Sequence, residues 1–177
     1  MEVRNSSGAR AILSGMVALK IQGFLLDRDN MPIVMLAEEA GQRLLPVWIG
    51  PSEASAIIVE LENIRPPEPL AHDLLAVLFQ RHGLRMERLE LYPRPEDCAY
   101  GARIVYRQGL RRCILETRPS DGLALAVRLG APILGEDELL STSRIPALLH
   151  GLADSPRGLL FLKTPAAGPA GERVRFN

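Results

Sequence analysis

Between Met16 and Gly50 the chain carries three apolar, β-branched runs: MVALKIQGFLL, IVMLAEE after Pro32, and RLLPVWIG. Only Asp27-Arg28-Asp29-Asn30 and Ala40-Gly41-Gln42 separate them. Links this short join neighbouring antiparallel strands, because a parallel return needs a crossover of roughly a dozen residues. This part of the chain is therefore committed to a three-stranded meander. Gly50-Pro51-Ser52 then breaks the pattern and opens a helix, PSEASAIIVELEN, with proline early and Ser52 as a cap. Ala54, Ile57, Ile58 and Leu61 mark its buried face by their spacing.

Three prolines within Arg65-Pro66-Pro67-Glu68-Pro69 make a stiff link that cannot continue a helix. A second helix, AHDLLAVLFQRHG, follows, with Leu74, Leu75, Leu78 and Phe79 at helical spacing and Gly83 at its end. Strands are expected near 84–92, 99–107 and 111–117, then a third helix from Pro119 to Leu129 stopped by Gly130, then a short apolar segment, APILG. This order reads as an α+β protein, a mixed or antiparallel sheet packed with about three helices in one compact domain over 16–141. Residues 1–15 are expected to form a flexible leader, and the Pro-, Gly- and Ala-rich 142–177 an appendage, disordered from about Thr164.

Placing the hairpin turn at Gln108-Gly109 sets Ile104 opposite Cys113, Ala102 opposite Leu115 and Tyr100 opposite Thr117. The other face then carries Arg103, Val105, Arg107, Arg112, Ile114 and Glu116, a local arginine cluster. In that register Cys98 and Cys113 stand about 20 Å apart along the ladder, too far for a disulfide.

The 21 basic and 21 acidic residues cancel. A dedicated nucleic-acid binder usually carries a basic surplus, so any such role must rest on local patches. No run approaches the length of a membrane span, and no signal peptide is recognisable, so a cytoplasmic protein is expected.

Polar residues gather where helices begin. His72 and Asp73 open the second helix, Arg118, Ser120 and Asp121 the third, and Glu53 lies in the first turn of the first. Free N–H groups and the positive dipole end attract anions at such places, and Arg118 would add a bidentate partner for phosphate. Capping explains Ser120, Asp121 and Asp73 equally well, and Arg118 has Asp121 or Glu116 within reach as a partner. Trp48, in an apolar run, reads as core or interface rather than a stacking platform. A Ser120–His72–Asp triad lacks both a G-x-S-x-G elbow and an oxyanion loop. A divalent-metal site built from Glu53, Asp73 and Asp121, with His72 as base or ligand, suits phosphodiester hydrolysis, and such oxygen-rich ligands suit Mg²⁺ or Mn²⁺.

LLPVWIGPSEASAI, PLAHDLL and ETRPSDGLALAVRLGAPI, in this order, resemble the bifunctional nuclease family over about Met16 to Leu140. The resemblance implies a compact α+β domain, a tendency to homo-oligomers and nuclease activity on RNA and DNA. It marks Trp48, Gly50, Glu53, His72, Asp73, Arg118, Ser120 and Asp121 as positions of interest. Glu68 and Ala71 stand where the family pattern has arginine and threonine, and an acidic Glu68 repels a phosphate backbone. Glu116 and Gly122 replace the usual Asp and Ala. The rival reading is a non-catalytic oligomeric module that holds a small anion or metabolite in the same helix-start pocket.

Overall fold

The structure, a computed structural model, describes residues 15–39, 43–94 and 99–141. Cys98, the leader through residue 14 and the appendage 142–177 lie outside the described residues. The elements run β1 (Met16–Leu26), β2 (Pro32–Glu38), β3 (Leu44–Trp48), α1 (Pro51–Leu61), α2 (Ala71–Arg81) and β4 (Leu84–Arg94). They continue with β5 (Ala99–Gln108), β6 (Arg111–Thr117), α3 (Pro119–Leu129), β7 (Ile133–Glu136) and α4 (Asp137–Ser141). The class is α+β, as the segregation of strands and helices requires.

The expected meander forms: β2 pairs antiparallel with both β1 and β3. Asp27 closes the first turn, its carboxylate accepting the N–H groups of Asp29 at 3.0 Å and Met31 at 2.8 Å. A second meander, β4-β5-β6, is joined to the first by β7, giving one seven-stranded sheet in the order β3-β2-β1-β7-β4-β5-β6. β7 runs antiparallel to β1 and parallel to β4. The short apolar segment APILG therefore supplies the central strand. Four residues carry too little pattern to reveal that, since β7's pairing partners are distant in sequence.

The β5–β6 hairpin departs from the expected register. Its turn is Gly109-Leu110, with Gln108 opposite Arg111, Tyr106 opposite Cys113 and Ile104 opposite Leu115. Gly109 has φ +60°, the conformation that the first central position of a two-residue hairpin turn demands of glycine. Each partner moves by two positions, so both faces keep their residues.

α1, α2 and α3 cover one face of the sheet. There Leu36, Leu45, Leu89, Leu91, Ile57 and Leu123 are wholly excluded from water. α3 is the innermost helix, burying Ser120, Gly122, Leu123, Ala124, Leu125 and Ala126. The Gly122 departure fits this packing: a Cβ there would meet Leu89 Cδ1 at 2.5 Å. α2 behaves differently from its apolar stripe. Only Ala76 and Phe79 are buried, while Leu74, Leu75 and Leu78 are exposed.

Candidate functional site: a corner of three helix starts

The helices begin at Gly50, Leu70 and Arg118, all extended residues that make no side-chain cap. Ser52 does not cap α1; its hydroxyl donates to Glu53 Oε2 at 2.8 Å. Ser120 does not cap α3 either, but lies buried in its first turn. Among the described residues no hydrogen bond joins Ser120 to His72, so the triad is not assembled.

The polar residues instead connect one helix to the next. His72 Nε2 on α2 lies 3.4 Å from Asp121 Oδ1 on α3. Arg118 donates to both oxygens of Asp121, at 2.8 Å and 3.3 Å. The same guanidinium lies 3.6 Å from Glu53 Oε1 on α1. Arg118 thus faces Asp121 and Glu53, and Glu116 is taken by Tyr92, whose hydroxyl donates to it at 2.5 Å. Burial, reinforced by that bond, pushes the Tyr92 phenol up to about 12.

The N-termini of all three long helices therefore meet at one corner. The electrostatics of that corner are balanced. The Ser52 hydroxyl, with Glu53's own N–H and Arg118 behind it, holds the Glu53 carboxyl below the usual carboxylate range. Asp121, with Glu53 as a weaker contributor, raises the Arg118 guanidinium. Gly50 makes room for this arrangement, because a Cβ there would run into Glu53 Oε2.

Asp73 has a different position from its neighbour. Its Oδ2 accepts the Leu70 N–H at 2.6 Å, closing the first turn of α2. Its Oδ1 takes the Nε–H of Arg128, 2.5 Å away. Arg128 is only 3% exposed. It also donates to Ala124 O and to Ala56 O on α1, each at 3.1 Å. One buried guanidinium therefore ties α1, α2 and α3 together directly behind His72. Each oxygen of Asp73 therefore has a structural partner. Among the described residues no group of three or more His, Cys, Asp and Glu side chains is placed to hold a metal ion. The expected trio of Glu53, Asp73 and Asp121 does not come together as a ligand set.

The arginine cluster is also neutralised. Glu90, almost wholly buried, is held by Arg103 and by Arg88 at 2.6 Å. Glu87 is held by Arg107 and by Arg112 at 2.8 Å. Arg103, Arg107 and Arg112, which from the sequence would form a basic substrate-binding patch, are thus paired with acids of β4 on the same sheet face.

A cleft of about 580 Å³ opens beside the corner, lined by Glu53, Arg118 and Ser120 together with Met31, Trp48, Arg94 and Tyr100. Trp48 is 49% exposed, so the core reading fails for it. Its place at the very end of an edge strand, next to the Gly50-Pro51 break, was the available signal. A larger hollow, about 860 Å³, lies at the far end of α3 beside Gly130, Glu38 and Glu39.

No helix among the described residues is long and apolar enough to cross a membrane. The sequence pattern described as "Bifunctional nuclease domain" matches residues 34–147. The chain is also 36% identical over 113 residues to "Uncharacterized protein MT1877" and "Uncharacterized protein Rv1829", each from a strain of Mycobacterium tuberculosis. The alignment covers 64% of this chain and 66% of each relative, so the chain spans just under two thirds of their length. The family match takes in every residue of the helix-start corner, and the chain belongs to the bifunctional nuclease domain family.

Proposed function

We propose that the protein hydrolyses phosphodiester bonds of RNA and DNA at the corner where the three helices begin. The observation that carries this reading is the meeting of three helix N-termini around His72, Asp121 and Arg118. Converging N–H dipoles favour a phosphate and the extra negative charge it gains in the transition state. DNA has no 2′-hydroxyl, so one mechanism for both polymers uses water as the nucleophile. In the tautomer that carries its proton on Nε2, the nitrogen beside Asp121, His72 has a lone pair on Nδ1 that takes the proton of the attacking water. The new P–O bond forms as the bond to the leaving sugar oxygen breaks. Arg118, 72% exposed, swings from Asp121 and Glu53 onto the phosphate. A divalent cation, if required, would be held at the corner by Glu53 or Asp121 and would neutralise charge on the phosphate.

A second reading has its own support. Arg118 is already held by two carboxylates and the sheet arginines by Glu87 and Glu90, a pattern suited to a non-catalytic module for a small anion. Assays on single-stranded RNA and DNA with Mg²⁺, with Mn²⁺ and with chelator separate the two. Cleavage by the wild type that falls about 100-fold or more in His72→Ala, the scale of general-base loss, and also falls in Asp121→Asn supports hydrolysis. Unchanged cleavage in both variants removes the corner as the active site. An inactive wild type favours the binding module.

A further inference from the structure

We propose that the cleft beside the helix-start corner is a nucleobase subsite, in which an unpaired base stacks on Trp48 while the adjoining phosphate sits at Arg118. This rests on the phosphodiester reading of the corner and assigns its substrate class: single-stranded rather than duplex nucleic acid. Trp48 ends the edge strand β3 with half its surface in water, leaving that part of the indole open to a ligand. The cleft brings to it residues from the far side of the sheet: Tyr100 of β5, and Arg94 at the end of β4. A concave wall combining indole, phenol and guanidinium groups is suited to a planar base on a charged backbone. The corner continues the same cleft, since Glu53, Arg118 and Ser120 line both. A base offers its face to an indole only when it is not stacked within a duplex, so strand preference follows from the geometry.

Trp48 is the sole tryptophan, so its fluorescence reports on this cleft alone. The wild type is titrated with a single-stranded oligothymidylate, its duplex with oligoadenylate, and an abasic oligodeoxyribose phosphate of equal length. Saturable quenching by the single strand, absent with duplex and abasic strands, is expected. Anisotropy of a labelled single strand should show binding about 5- to 150-fold weaker in Trp48→Ala, the range for loss of one base–aromatic stack, with most affinity retained in Trp48→Phe. Circular dichroism melts confirm that both variants fold. Equal quenching by the abasic strand, or no quenching, overturns the subsite. So does a Trp48 signal that changes with protein concentration alone, which identifies the cleft as a contact between copies. Cleavage without a Trp48 response would leave hydrolysis standing and remove the subsite. Stacking without cleavage would do the reverse.

Discussion

Replacing Arg128 by methionine tests whether three helices are held together by one guanidinium. The change keeps an unbranched apolar stem but removes the donors to Asp73, Ala56 and Ala124, which lie 2.5, 3.1 and 3.1 Å away. Taking one partner from a buried ion pair costs about 3–5 kcal/mol, because the other charge is left without compensation. Asp73 is 24% exposed, so water recovers part of its loss and the lower end, about 3 kcal/mol, applies. For a domain of this size that corresponds to a melting temperature about 6–12 °C lower. Urea denaturation followed by circular dichroism gives the value. Arg128→Lys should restore little, since one ammonium on a flexible stem cannot serve acceptors on three helices. A double-mutant cycle with Asp73→Asn should return a coupling of at least about 1 kcal/mol. A loss under about 1 kcal/mol for Arg128→Met, or a lysine variant equal to wild type, would refute the clamp.

The Glu87 network predicts an acid-sensitive sheet. Burial pushes the Glu87 carboxyl up, but the bonds from Arg107 and Arg112 outweigh it and hold it below its ordinary value of 4.5. A carboxyl depressed on folding stabilises fully above its unfolded value and loses that contribution as pH falls through the folded one. Glu87→Gln should therefore cost about 1 kcal/mol at pH 7, because its arginine partners are partly exposed, and almost nothing near pH 3. Melts at the two pH values check this, and an equal loss at both contradicts it. Gly109→Ala places a Cβ at positive φ and should cost about 1 kcal/mol, whereas Leu110→Lys should change stability by less than about 0.5 kcal/mol. Tolerance of alanine at Gly109 would contradict its positive φ.

Much of this architecture is written locally. The first meander follows from two short links, the ends of α2 and α3 from Gly83 and Gly130, and the two faces of the β5–β6 hairpin from simple alternation. His72 and Asp121 could be named in advance because histidine is a poor helix starter and Asp121 sits beside an unexplained arginine. What escaped the sequence reading depends on distance along the chain. Asp73 resembled a metal ligand because its partner, Arg128, is 55 residues away. Arg103, Arg107 and Arg112 looked free because Glu87 and Glu90 lie on another strand, and a bulge between Met86 and Arg88 alters the phase that would have matched them. The two hairpin registers look alike in sequence because Gln-Gly and Gly-Leu both offer a glycine that can take positive φ, and the pairing of Gln108 with Arg111 decides between them. Trp48 was assigned by its neighbours' hydrophobicity, although a strand end beside a break has nothing packed beyond it.

The place of β7 sets a clock on the protein's birth. The two meanders share no ladder except through these four residues, and they leave the ribosome about 110 residues after β1 is complete. At roughly 5–20 residues per second, the inner edge of β1 waits about 5–20 s without its partner, and that of β4 about 2–8 s. An unpaired edge is a template for another chain, and here two such edges belong to the middle of the final sheet. The exposed, charged Lys20 on β1 and the arginine–glutamate pairs of β4 are then more than surface detail. Charges on an edge make it a poor template, and that is the service such side chains can give before Ile133 arrives to close the gap.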